Sequence, residues 1–218
     1  MAQTSALAKI IDPPADPVQL FKHLLETVAQ GKPDGSVQDM NLATIDDEFG
    51  VLNRTVLYRG LSSENYVFYI THRYTRNCKN LQANAKASIT FYLPLVKDID
   101  GKDTTWQVRL IGATAVELPD SEMDALWAKE DLPAKIRGHV FPCGEPVDYD
   151  QQKAKHDNFL KEHLSSGQPI ARPASYTGWK FQPQRWDFLK VGQGLIADRV
   201  QYRLQSNGKW ALPSHVAT

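Results

Sequence analysis

Two cations bracket one short apolar run, and that run is where ligand chemistry would start. In Asn53-Arg54-Thr55-Val56-Leu57-Tyr58-Arg59-Gly60, two β-branched and two bulky residues separate Arg54 from Arg59, a composition that favours a strand. A strand with a guanidinium at each end can lie along an elongated ligand that is anionic at one end. It can equally be an edge strand guarded by charge, the commoner use of such residues.

Other chemistry-bearing residues are scattered. Among His23, His72, His139, His156, His163 and His215, only His156 and His163 share a helical stretch, and their spacing leaves no third ligand in view for a metal. Cys143, between Pro142 and Gly144 with no histidine beside it, reads as an inert loop thiol. Asp46-Asp47-Glu48 reads as a solvated acidic turn. There is no P-loop, Gly-rich dinucleotide fingerprint or Ser-His-Asp pattern.

Composition narrows the classes. Lys+Arg and Asp+Glu both number 25, so the basic surplus of a nucleic-acid binder is missing. Cys78 and Cys143 make neither a disulfide framework nor a metal spacing, and with no leader-like segment the expected compartment is the reducing cytoplasm. No run approaches the ~20 apolar residues of a membrane span. The 218 residues, 42% hydrophobic, bury one sizeable core.

The elements that must position these residues follow from periodicity. Residues 1–16, with Pro13 and Pro14, read as a mobile tail ahead of a single domain over 17–218. Asp16-Pro17 opens a helix as cap and first position, carrying Val18, Phe21, Leu24, Leu25 and Val28 at helical spacing. Gly31 and Pro33 stop it, and 35–39 is loop. Strands over 40–45, 54–59 and 66–71 with tight links read as an antiparallel meander. A polar stretch over 72–77 and a short helix over 78–83 lead to a strand over 87–92. Residues 104–118 give the longest strand signal. Trp106, Val108 and Leu110 share one face and Gln107, Arg109 and Ile111 the other, with a bend or bulge at Gly112-Ala113. Helices are expected over 120–129, 133–140 and 148–164, the last lying on the surface. Four short strands close the chain, over 179–181, 185–189, 200–204 and 210–212, the last two joined through Ser206-Asn207-Gly208. Many short strands with few helices point to a closed or split β-barrel.

In this order the chain resembles the pyridoxamine 5'-phosphate oxidase family, the FMN-dependent split barrels of vitamin B6 metabolism. The resemblance runs from about Asp16 to Trp210. It is carried by Met40-Asn41-Leu42-Ala43-Thr44, the Arg54–Gly60 run, Tyr66-Val67-Phe68-Tyr69, Thr75-Arg76, Trp106-Gln107-Val108-Arg109 and Asp198-Arg199. It implies a mainly β split barrel with peripheral helices, a homodimer with two FMN sites at the subunit interface, and a dimerisation-type segment over 172–218. It also implies two-electron oxidation of a B6 phosphate, with oxygen reoxidising the flavin.

Carried over residue by residue, the resemblance makes Arg54, Thr75 and Arg76 phosphate contacts of FMN. Thr55, Val56 and Leu57 become the strand along the flavin, and Gln107 and Arg199 further flavin contacts. Tyr69 and Thr71 are carried over too, although the following loop is one residue longer and leaves Ile70 open for the same place. Asn77 stands where the family has a lysine, Cys143-Gly144 where it has Gln-Ser, and Leu189 where it has a tryptophan. A lost charge-assisted bond weakens binding about ten- to a hundredfold, so FMN is expected to be held weakly or lost. The substrate positions depart further. The family's Tyr, Arg and Ser read Leu126, Glu130 and Ala134; its Arg-x-His reads Leu195-Ile196-Ala197; Arg59 replaces a lysine. Leu126, Ala134, Leu195 and Ala197 are candidates for an apolar pocket. The expectation is an FMN-binding relative with a degenerate B6 phosphate site, either a pseudoenzyme or an oxidoreductase for another substrate. The alternatives are a working B6 phosphate oxidase and an FMN-free dimeric scaffold.

Overall fold

The computed structural model describes residues 6–30 and 38–218; the helix stop at Gly31 and Pro33 and most of the 35–39 loop lie outside them. The architecture is a curled antiparallel sheet, a split half-barrel, with helices at its margins. Helix α1 (Pro17–Gln30) starts where Asp16 Oδ1 accepts from Val18 N at 2.9 Å. Strands β1 (Asp39–Asp46), β2 (Gly50–Leu57), β3 (Gly60–Leu61) and β4 (Val67–His72) follow, then α2 (Arg76–Ala83) and the long pair β5 (Lys86–Lys97) and β6 (Asp103–Glu117). Helices α3 (Asp120–Ala128), α4 (Leu132–Val140) and α5 (Tyr149–Ser166) come together in the chain. Strands β7 (Tyr176–Gln182), β8 (Arg185–Gly192), β9 (Asp198–Arg203) and β10 (Ser214–Val216) complete it.

Strand β6 organises the sheet. Its alternation is as read from the sequence, with Trp106, Val108 and Leu110 buried and Gln107, Arg109 and Ile111 half-buried. Its first part pairs with β8 and its last part with β7, while β5 runs along its other side. The expected irregularity is there: the β5–β6 register shifts between Ala87 and Ile89, and Gly112 takes φ 61°, a conformation glycine adopts without a Cβ penalty. The bend lets one strand serve two directions of the half-barrel.

The three-strand meander is corrected. β2 pairs with β1, but β4 pairs with β3 and with β7. The chain leaves β2 after Leu57: Tyr58 N donates to Gln38 O at 2.9 Å and Arg59 N to Phe68 O at 3.1 Å. Gly60 then adopts φ 125°, and a Cβ there would stand 3.3 Å from the Phe68 ring. The run is therefore not a strand with a cation at each end. Arg54 lies inside β2, and Arg59 lies beyond it.

The tail is also corrected, over residues 6–16. Ala8 N donates to Ile196 O and Ile196 N to Ala6 O, both at 2.8 Å, and Ile10 N donates to Asp198 Oδ2 at 2.8 Å. Ala8 and Ile10, two apart, both go into the core, the behaviour of a half-buried extended segment. At the other end, Trp210 makes one bridge to Leu204 and the final strand is β10 rather than 210–212. Within residues 172–218, β7 and β8 sit inside the sheet.

The main core joins α1 to the sheet through Phe21, Phe91, Trp186 and Phe188. A smaller cluster of Phe68, Leu118, Met123, Trp127 and Tyr176 seats α3 on β4 and β7. No described helix is long and apolar enough to cross a membrane.

Candidate active site

A cavity of about 660 Å³ lies between β2, β4, the start of α2 and the α3–α4 pair, within the range of small-molecule sites. Eight of the ten sequence-predicted flavin residues meet there: Arg54, Thr55, Val56, Leu57, Tyr69, Thr71, Thr75 and Arg76. Among the described residues β2 pairs only with β1, so the backbone polar groups along its outer edge have no strand partner there and are available to a ligand. The Tyr69 hydroxyl is buried without a partner among the described residues, a state that needs an explanation in a folded protein.

Arg54 is buried in part, which pulls its guanidinium pKa down; Nη1 donates to Leu42 O at 3.0 Å and Thr44 Oγ1 at 2.8 Å. Those bonds fix its direction, and it forms no ion pair among the described residues. Thr71 and Thr75 hydroxyls lie 2.9 Å apart at the start of α2. Asn77 Oδ1 accepts from both threonines and from Cys78 N. One first-turn amide of α2, the natural place for an anion, is thus already taken.

Arg76 is the first residue of α2 rather than part of a polar loop, and it is not free. Nε and Nη2 clasp Asp46 at 2.7 and 2.8 Å, Nη2 also reaches Glu48 at 2.6 Å, and the guanidinium lies 4.8 Å from the Phe49 ring centroid. The acidic turn is therefore only partly solvated: the Asp46 side chain is fully shielded. The Arg76 guanidinium beside Asp46 holds its carboxyl far below the usual carboxylate range, overcoming the opposing push of burial, and the Phe49 and Glu48 amides help. Because the folded value lies below the unfolded one, Asp46 adds stability that is complete above about pH 4 and lost as pH falls below it. Acid unfolding followed by circular dichroism is expected to steepen there, and Asp46→Asn to be less stable at neutral pH with a flatter profile below pH ~4. Equal slopes for the two proteins in that window would remove this pair from the account.

Glu130 faces the cavity. Its carboxylate is bonded to Arg59 and accepts from the Tyr176 hydroxyl at 2.8 Å, with the Glu130 side chain 8% exposed and Arg59 27%. Burial alone would pull the Arg59 guanidinium down, but the bond and charge of Glu130 outweigh it and raise it. Burial and the neighbouring carboxylate push the Tyr176 phenol well above its ordinary value.

Gln107 and Arg199 lie elsewhere. Gln107 pairs with Tyr92 and Leu189, and Leu189 with Arg199, so the three stand in one row across β6, β8 and β9. Arg199 Nε is buried with no hydrogen-bond partner among the described residues. The apolar pocket is not assembled within one chain: Ala134 lines the main cavity and Leu126 a neighbouring one, whereas Leu195 packs on Gly192 and Ala197 lies just before β9.

No family model matches the chain. The pyridoxine/pyridoxamine 5'-phosphate oxidase of Bacteroides thetaiotaomicron is 26% identical over 203 residues, 91% of this chain and 88% of that one. The enzyme of the same name from Rhodopseudomonas palustris is 28% identical over 192 residues, 86% and 83% of the two. The chain is thus similar to the pyridoxine/pyridoxamine 5'-phosphate oxidases over most of its length. Two solved structures show that the fold is shared. PhzG from Burkholderia lata, in complex with tetrahydrophenazine-1-carboxylic acid, has a TM-score of 0.78 at 21% identity, covering 98% of this chain and 100% of that one. A pyridoxamine 5'-phosphate oxidase-related, FMN-binding protein from Nostoc punctiforme has a TM-score of 0.69 at 18% identity, covering 94% and 100%.

Set against the oxidase pattern, the sequence marked the β2 side of the cavity and, on the opposite wall, Glu130 and Ala134, but not the other residues of that wall. His72, Tyr74, Trp127, Arg137, Phe141 and Tyr176 line it. Cys143, read as an inert loop thiol, stands at its rim. No local motif marks these residues; they come together only through the β4–β7 pairing and the seating of α3 and α4.

Proposed function

We propose that this protein binds FMN as a homodimer and is an oxidoreductase whose substrate is not a vitamin B6 phosphate. The observation that carries the reading is the meeting of eight predicted flavin residues on one cavity beside the unpaired edge of β2. The donor set fits FMN in part. Arg54 would hold the phosphate, joined by the Thr71 and Thr75 hydroxyls once they turn from Asn77 Oδ1, the β2 edge would bond the flavin ring, and Tyr69 would give its unused hydroxyl. Bound there, FMN would supply a two-electron acceptor. Against a tight grip, Arg76 is committed to Asp46 and Glu48, and Asn77 takes the Cys78 amide. The dimer is supported by the Gln107–Leu189–Arg199 row, which lies off the cavity with Arg199 Nε unsatisfied; a second copy of the chain would bring that row to it.

A degenerate B6 site is supported by the Arg59–Glu130 pair. A phosphate entering there meets a carboxylate, and the nearest retained cation is already neutralised. The fold itself is not tied to phosphates, as the carboxylic acid bound to PhzG illustrates.

The test is the visible absorbance of the purified protein after FMN is added and excess removed. A retained flavin band is expected, with affinity reduced about tenfold or more by Arg54→Ala, the loss of a charge-assisted contact. Absence of a band at saturating FMN would dismiss the reading in favour of an FMN-free scaffold. Turnover of pyridoxamine phosphate by the loaded protein would instead favour a working B6 oxidase, the reading supported by the names of the relatives.

A further inference from the structure

Resting on that flavin reading, we propose that the substrate is a flat aromatic compound bearing a single carboxylate, that Arg137 anchors the carboxylate, and that the Arg59–Glu130 pair turns away doubly charged phosphates.

The cavity has two chemically different halves. The half along β2 carries Arg54, the threonines and free backbone groups. The half under α3 and α4 is walled by aromatic side chains in mutual contact. His72 stacks on Tyr74 with ring centroids 5.1 Å apart and meets Tyr176 edge-on at 5.9 Å, and Tyr176 meets Trp127 edge-on at 4.9 Å. Phe141 extends this wall at the end of α4. Such surfaces hold planar rings by offset and edge contacts.

The charges on that wall select among ring compounds. Four arginines line the cavity: Arg59 is paired with Glu130 and Arg76 with Asp46 and Glu48, while Arg54, held by the neutral acceptors Leu42 O and Thr44 Oγ1, is the one assigned to the FMN phosphate. Arg137, exposed on α4, has no side-chain partner among the described residues. It stands near His72, whose ring is oriented by Ser175 Oγ at 3.0 Å from Nδ1. Burial, and then the charge of Arg137, lower the His72 pKa, so the imidazole is neutral at neutral pH and Arg137 is the cation on offer. One guanidinium matches one carboxylate in a bidentate fork. A phosphate dianion needs more positive charge than that, and Glu130 opposes it. A cationic ring is repelled by Arg137, and a neutral ring makes no use of it.

Calorimetric titration of the FMN-treated protein with 2-naphthoate, naphthalene-2-carboxamide and 2-naphthyl phosphate tests this. These share a ring system and differ in charge. The expected result is a clear preference for 2-naphthoate. Arg137→Gln should weaken naphthoate binding about ten- to a hundredfold and leave the carboxamide unchanged, with the flavin band intact. Arg137 is exposed, so this variant should fold, and circular dichroism checks that it does. Glu130→Gln should raise the affinity for 2-naphthyl phosphate. Equal binding of naphthoate and carboxamide, or naphthoate binding untouched by Arg137→Gln, overturns the proposal. Loss of the flavin band alone counts against the FMN reading; the titration reads the aromatic wall and Arg137 without a flavin signal, so a naphthoate preference abolished by Arg137→Gln would still support the anchor.

Discussion

Glu130→Gln is expected to tighten binding of pyridoxal 5'-phosphate by up to about a hundredfold, while the unaltered protein binds it no better than pyridoxal. A charge-assisted hydrogen bond contributes ~1.5–3 kcal/mol, and the substitution frees one by releasing Arg59. It also removes a carboxylate that repels the phosphate. The shape of the side chain is kept, and Gln Oε1 can still accept from the Tyr176 hydroxyl. Breaking a fully buried pair costs ~3–5 kcal/mol, but Arg59 is 27% exposed and can take up water, so the stability loss should fall below that range. Equilibrium titration of both proteins with phosphorylated and unphosphorylated ligand is the measurement. If the unaltered protein already favours the phosphate strongly, and the variant matches it, the Arg59–Glu130 pair does not exclude B6 phosphates.

The second large effect is on stability. Phe91→Ala should cost about 3–5 kcal/mol, the range for a buried aromatic, and lower the melting temperature by roughly 6–20 °C for a chain of this size. Phe91 is fully buried, with ring centroids 4.9 Å from Phe21 and 5.5 Å from Tyr58, and Phe21 is 5.3 Å from Trp186. This cluster ties α1, β5 and β8 together and seats Tyr58, the residue before Arg59. Core and site are linked through it, so the variant should also weaken flavin retention. Thermal melts of Phe91→Ala and Phe91→Leu would check the cause, since the leucine fills most of the void and should lose much less. A loss under ~1 kcal/mol for the alanine would mean that the neighbours collapse into the space.

Much of the local structure was legible in the residues. The in–out alternation of β6, its irregularity at Gly112, the cap at Asp16 and the three helices after Pro119 all rest on side-chain period or on one residue's backbone preference. These act within a few positions along the chain. The exchange of an arginine for Glu130, against the family pattern, was visible for the same reason, as was the order of motifs. The segment at Ala8 and Ile10 reads as tail because of Pro13 and Pro14, and its burial against the sheet was not legible in the residues.

What the chain alone could not give were the partners. β4 satisfies its backbone on β7, more than a hundred residues later, because the chain turns away from β2 at Gly60. Arg59 meets Glu130 across 71 positions and Arg76 meets Asp46 across 30. Ion pairs depend on distance in space and on shielding from water, and neither is encoded in spacing along the sequence. The sequence by itself determined which side chains this protein has and the local elements that carry them. Tertiary structure alone decided which charges are neutralised, which wall became aromatic, and that Arg137 remains available there.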